Sequence, residues 1–427
     1  MTGYLRNTLK VFILLLCCLL CVTGCSKGKA AEPDFKDITY ALKLEDGDSS
    51  QNEEDENSQN THQSEKNTNS NAKSNDTDKS TTNTDKTGND DAQQVSDEVK
   101  TINIQKFSCV DSRLTASVFL PNIAYMEDGV AKDTMFESLA FMPNNNFVHD
   151  YSSDGALKAM TKKDWSSYIY NYEFKEGYNI DALEEAAGQV KEALEMPDYK
   201  VNVYLSLLPP VNTVEAWGEV DGRMLNFAKS DADRITGAKW LVDEQIKAFN
   251  ERNYQNIKLC GFYYYHESIS DNEAAVLPAI TDYVRSVNMV TVWAPYYMAK
   301  GYDKWNTFGF DYAAMQSNYF PGRPNLPNGG GPERVSATAL ITKARGMGTE
   351  MELPSHSLAE SIGGMKLYLK TAIETETMNG FHTWWIANGL SSVKYLYKSS
   401  DPYIHSLYKE IYLFLKGNLE VSDITNP

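Results

Sequence analysis

IKLCGFYYYHESISDNEAAVLPAITDYVRSVNMVTVWAP (257–295) reads as one complete strand–helix–strand unit. The run from Ile257 to His266 is short, apolar and aromatic, as a buried strand requires. Ser270-x-x-Glu273 then forms a capping box ahead of Val276, Ile280, Tyr283 and Val287, which recur at helical spacing. A second apolar run, Met289–Pro295, follows at once. Two strands joined through a helix predict a parallel pair.

The same alternation extends in both directions. Further strands are expected at Thr115–Pro121, Glu137–Pro143, Lys200–Leu208, Tyr312–Asn318, Met347–Leu353 and Gly380–Trp385, which makes eight. Ile180, Leu183, Ala187, Val190 and Leu194 mark one amphipathic helix. Ser230 caps another, with its stripe at Ile235, Ala238, Val242, Ile246 and Phe249. Ser357-x-x-Glu360 opens a third, and Asp401-Pro402 starts a last one that Gly417 stops. Eight strand–helix units predict an α/β fold, a single (β/α)8 TIM-like barrel over residues 100–427. Asp128–Gly129 and Asn144–Asn146 stand where the first two helices are expected, so a doubly wound open sheet is the alternative.

In such barrels chemistry sits at the C-terminal ends of the strands. The fourth strand finishes in Tyr263, Tyr264, Tyr265, His266 and Glu267, and the seventh carries Glu350 and Glu352. Side chains alternate along a strand, so Glu350 and Glu352 share one face, and Glu267 shares parity with Tyr265 and Tyr263. Carboxyls on both sides of a pocket are what glycosidic cleavage needs, one to donate a proton and one to act as nucleophile or base. Glu267 is the expected acid/base. Glu352 is the expected nucleophile or base, with Glu350 as the alternative. Tyr265, His266, Trp293, Tyr297, Gln316, Asn318, Tyr319 and Trp384 are candidates for holding a sugar by stacking and amide hydrogen bonds. Many of these aromatics are also natural core residues. The same pocket would serve equally in a module that binds a glycan without cleaving it.

GFYYYHESI (261–269), VWAPYYMAKGYDKW (292–305), FDYAAMQSNYF (310–320) and GMGTEMEL (346–353), in that order, resemble a bacterial family classed as a domain of unknown function, number 4855. The resemblance runs from about Cys109 to Leu415 and implies a glycosidase-type barrel. A more distant resemblance, to clan A glycoside hydrolases, implies an acid/base after strand four and a nucleophile on strand seven. His266 stands where that clan usually has asparagine.

Other chemistries find no support. His266-Glu267 lacks a second histidine four residues on, and the six histidines are scattered, so neither a metal nor another cofactor is expected. There is no Gly-x-Ser-x-Gly elbow. Asn328-Gly329-Gly330-Gly331-Pro332 lacks a following Lys-Ser/Thr and is expected to be a loop over the barrel mouth.

The N-terminal hundred residues differ in kind. Arg6 and Lys10 precede an apolar run, Val11–Val22, too short to span a bilayer and suited to a signal peptide over residues 1–24. Val22-Thr23-Gly24-Cys25 resembles the lipobox of bacterial lipoproteins, which implies lipidation of Cys25 and anchoring to the cell membrane on its outer, wall-facing side. Residues 45–98 carry fifteen acidic side chains and four lysines, with only Ala72, Ala92 and Val95 apolar. Such a segment cannot offset its ordering entropy, so residues 25–99 are expected to form a disordered tether. Of the total charge of −18, residues 45–98 supply −11, and no basic patch suggests a nucleic-acid partner. Cys109 and Cys260 remain in the globular part, and a disulfide between them is permitted but not required. The expected partners are the membrane and a polysaccharide or oligosaccharide, with the protein itself a monomer.

Overall fold

The computed structural model describes residues 103–109, 113–150, 156–326, 328–386 and 390–426. The expected signal segment, Cys25 and the acidic tether lie outside the described residues. Eight parallel strands follow one another round a closed barrel. They are β1 (Asn103–Ser108), β2 (Ser138–Met142), β3 (Val201–Leu207), β4 (Ile257–Tyr264), β5 (Val290–Trp293), β6 (Tyr312–Met315), β7 (Gly348–Leu353) and β8 (His382–Ile386). Pairing of β8 with β1 as well as β7 closes the ring and rules out the open sheet.

Helices cover the outside. They are α1 (Ala116–Ile123), α2 (Ile180–Ala193), α3 (Asp231–Glu251), α4 (Leu277–Ser286), α5 (Glu333–Ala344), α6 (Ala359–Glu374), α7 (Leu390–Lys398) and α8 (Pro402–Leu415). Between β5 and β6 the only helical element among the described residues is a single 3-10 turn, Tyr302–Lys304. The Ser270–Glu273 box forms as expected, capping the short turn Asp271–Ala274 just before α4. Ser230 accepts from the Asp233 N–H, and Asp401 accepts from the Tyr403 and Ile404 N–H groups. Gly417, at φ +69°, ends α8.

Two expectations are corrected. Thr115–Pro121 is not a strand: Ala116, Phe119 and Ile123 bury one face of α1. The first strand is Asn103–Ser108 instead, and its buried Gln105 and Lys106 break the apolar run that marks the other strands. Ser357 does not cap α6; its N-cap is Leu358, without a side-chain bond.

Two apolar layers hold the barrel. Inside, Ile104, Ala140, Tyr204, Tyr263, Val292 and Ala314 pack together, one from each of β1 to β6. Outside, strand and helix side chains such as Leu205, Leu241, Ile280, Met365 and Leu407 form the larger core. At Gly261, where β4 shifts register, a Cβ would lie 2.2 Å from the Val290 carbonyl oxygen, so only glycine lets β4 and β5 meet there. Cys109 and Cys260 are both free thiols.

Candidate active site

Strand register fixes which side chains enter the barrel. Trp385 on β8 is level with Lys106 on β1 and with Glu352 on β7, and one layer below Thr383 is level with Glu350. Lys106, Glu350, Glu352 and Trp385 all line a cavity of about 630 Å³, with Tyr263, Tyr265 and Glu267 from β4 and the loop after it. Asn144, Asn145, Gln316 and Asn318 complete its polar lining. These positions lie at the C-terminal ends of their strands, where the loops rather than the layered core decide the chemistry.

Lys106 and Glu350 meet at 2.6 Å as an ion pair, with only 2% of either side chain exposed. Lys106 also donates to the Tyr263 hydroxyl at 3.1 Å, and Thr383 donates to Glu350 Oε2 at 2.6 Å. Burial pulls the Lys106 ammonium down, but the charge of Glu350, with Tyr263 and Glu267 behind it, outweighs burial and holds its pKa above the ordinary lysine value. Burial lifts the Glu350 carboxyl, and the adjacent ammonium draws it back without cancelling the rise. A proton on Glu350 would leave Lys106 unneutralised inside the barrel, so the pair is ionised at neutral pH.

Glu352 differs from Glu350 although it lies two residues away on the same face. Its Oε2 accepts from the Tyr368 hydroxyl at 2.6 Å and from the Asn318 N–H at 2.7 Å. Asn318 aims that N–H by adopting φ +51°, a left-handed conformation that asparagine tolerates. Burial, reinforced by the charge of Glu350, pushes the Glu352 pKa up to about 8 despite these donors. Of the two, Glu352 is the one biased toward the protonated form, and Glu350, paired with Lys106, the one biased toward the anion.

Glu267 is exposed at the rim. It lines the same cavity, and its charge is felt by Lys106, Tyr263 and Glu350. The Tyr265 hydroxyl donates to Asn145 Oδ1, tying the β4 end to the loop after β2.

Several expected sugar contacts are otherwise engaged. Trp384 points outward, packs against Phe136 and Phe414 and donates to Asn103 Oδ1 at 2.9 Å. Trp293 is fully buried outside the barrel, stacked on Phe310, and donates to the His266 carbonyl at 2.7 Å. The alternation along β8 and β5 accounts for both: the neighbours Trp385 and Ala294 take the inner face. His266 turns from the cavity and holds Glu273 through Nδ1 at 2.7 Å. Tyr297 lies under the Arg334 guanidinium, and Tyr319 leans on Tyr368. Gln316 and Asn318 do line the cavity, but Asn318 Nδ2 donates to Gln316 Oε1 at 2.8 Å and Gln316 Nε2 to the Ala294 carbonyl at 3.0 Å. Their amides are largely spent on the chain itself.

Trp385 was passed over for Trp384, and Lys106 escaped the sequence reading. Trp385 needed only a parity count from Glu352, once the strands were in register. Lys106 had no local signal, since a lone lysine beside a polar segment reads as solvated. No group of three or more His, Cys, Asp or Glu capable of holding a metal occurs among the described residues.

A family model described as Domain of unknown function (DUF4855) matches residues 109–413. No curated protein matches the chain. Among solved structures, the catalytic domain of a family GH18 chitinase from the fern Peteris ryukyuensis is similar at 13% identity, covering 74% of this chain and 99% of that one, with a TM-score of 0.40. The endo-beta-1,4-mannanase from Thermotoga petrophila is similar at 11% identity, covering 75% of this chain and 78% of that one, with a TM-score of 0.41. An endo-1,4-beta-xylanase from Caldicellulosiruptor owensensis is similar at 11% identity over 68% of this chain and 87% of that one, with a TM-score of 0.33. Similarities this remote say nothing about chemistry.

Proposed function

The chain belongs to the DUF4855 family, and we propose that it hydrolyses glycosidic bonds of a polysaccharide outside the cell, using Glu267 and Glu350. The observation that carries this reading is the shared cavity, lined both by a rim carboxyl and by a deep carboxylate paired with Lys106. Cleavage of a glycosidic bond needs one group to protonate the departing oxygen and one to stabilise or attack the cationic sugar carbon. Glu350 supplies the negative charge. Glu267, at the rim of the same cavity, is the group placed to supply the proton. Glu352, protonated, braces the β6 end through Asn318 and Tyr368. This departs from the preference for Glu352 as nucleophile, because a nucleophile must be ionised at the working pH.

Trp385 offers the platform for the sugar. It is partly exposed, lines the cavity beside Glu352 and is held edge-to-face by Phe320 at 5.7 Å. The lipobox and the acidic stretch after it support a lipid anchor on Cys25 and a tether of residues 25–99, which would hold the barrel off the membrane.

The second reading is a glycan-binding lipoprotein without turnover. What favours it is the ion pair itself, since a buried Lys–Glu contact is also a structural device. Incubating the full-length protein with a panel of polysaccharides and following reducing-end release separates the two. New reducing ends from at least one polysaccharide support hydrolysis, whereas binding without products supports the second.

A further inference from the structure

We propose that Arg323 reads a carboxylate on the sugar chain, so that the cavity takes an acidic, uronate-bearing glycan. This rests on the hydrolase reading and names its substrate class. Arg323 lies on the loop between β6 and α5 and lines the cavity with Phe320, Leu326 and Asn328.

The loop fixes it in place. The Arg323 N–H donates to the Phe320 carbonyl at 3.0 Å, and the Leu326 N–H donates to the Arg323 carbonyl at 3.2 Å, so two successive turns share Arg323. In the first, Pro321 stands second and Gly322 third with φ +75°, the pattern of a type II turn. The Ser361 hydroxyl holds the Pro321 carbonyl at 2.6 Å, and Arg334 holds the Asn328 carbonyl at 2.7 Å. A backbone this well tied lowers the entropy lost when the arginine engages a ligand.

The guanidinium itself is unspent. It makes no hydrogen bond or ion pair among the described residues, whereas Arg234, Arg252, Arg285 and Arg334 are each hydrogen-bonded. Inside the cavity Lys106 is neutralised by Glu350. Arg323 lines the same cavity with no counter-charge of its own among the described residues. A planar guanidinium matches a carboxylate through two parallel N–H bonds. The hydroxyls of a neutral sugar need no full charge.

The test uses full-length Glu267→Gln protein, so that ligands bind without being consumed. It is titrated calorimetrically with oligogalacturonate and alginate oligomers, the same chains with carboxylates reduced to alcohols, sulfated neutral glycans, and xylo- and manno-oligosaccharides. The expected result is binding of a uronate chain that weakens about tenfold on carboxylate reduction and about tenfold in Arg323→Met. Arg323→Lys should recover part of the loss, and added salt should weaken binding by the Arg323 and Arg323→Lys proteins but not by Arg323→Met. Uronate binding that Arg323→Met leaves unchanged overturns the proposal, as does binding confined to sulfated or neutral chains. Those outcomes leave the hydrolase reading standing. Failure of every chain to bind removes both.

Discussion

Lys106 on β1 and Glu350 on β7 form a buried ion pair at 2.6 Å, across strands that are not neighbours in the ring. β8 lies between them, and its Thr383 donates to the same Glu350 oxygen. Three strands are thus tied at the layer where the core gives way to the cavity.

Removing one partner should cost far more than removing both. Lys106→Met and Glu350→Gln should each destabilise the fold by about 3–5 kcal/mol, because each leaves a buried group without its partner. The double variant should lose clearly less than the sum, as urea unfolding will show. Lys106→Met should also lose activity at pH 6 and regain part of it at higher pH, since Glu350 then ionises only there.

Two raised carboxyls predict how stability responds to pH. Glu352 and Glu173 are both lifted by burial to about 8 from an ordinary 4.5, Glu173 behind the ends of β2 and β3. Between those values each holds a proton in the folded chain that the unfolded chain has released. Their contribution is complete below pH 4.5 and is lost as pH rises through 8. Thermal unfolding should therefore move to lower temperature from pH 5 to pH 8, and Glu352→Gln should flatten that decline. An equal slope in Glu352→Gln would mean that Glu352 is already ionised.

The two adjacent tryptophans of β8 should part company. Trp384→Ala empties the outer core and should cost about 3–5 kcal/mol in stability. Trp385→Ala should cost much less stability but weaken sugar binding about tenfold, read by titration with a bound glycan.

Cys25→Ser should abolish incorporation of a fatty-acid label and release the protein from the membrane fraction. Continued labelling of that variant would remove the lipid-anchor proposal.

Strands with apolar runs were legible because both faces of a parallel barrel are buried, which leaves a continuous signature. β1 was not, because its inward Lys106 is solvated by Glu350 and Tyr263, partners 244 and 157 positions away in the chain. Thr115–Pro121 has the composition of a strand, and only the spacing of Ala116, Phe119 and Ile123 reveals α1. The carboxyls were found from strand ends alone. The different surroundings of Glu350 and Glu352 were not, since the two share one face and differ through Lys106, Tyr368 and Asn318. Trp384 was preferred to Trp385 for want of a register.

The most direct measurement is the rate of reducing-sugar release by wild-type and Glu267→Gln protein from a polysaccharide the wild type cleaves. Glu267→Gln should lose about 10²–10⁴-fold in turnover while its unfolding temperature and sugar affinity stay close to wild type. Turnover undiminished in Glu267→Gln would contradict the role assigned to the rim carboxyl.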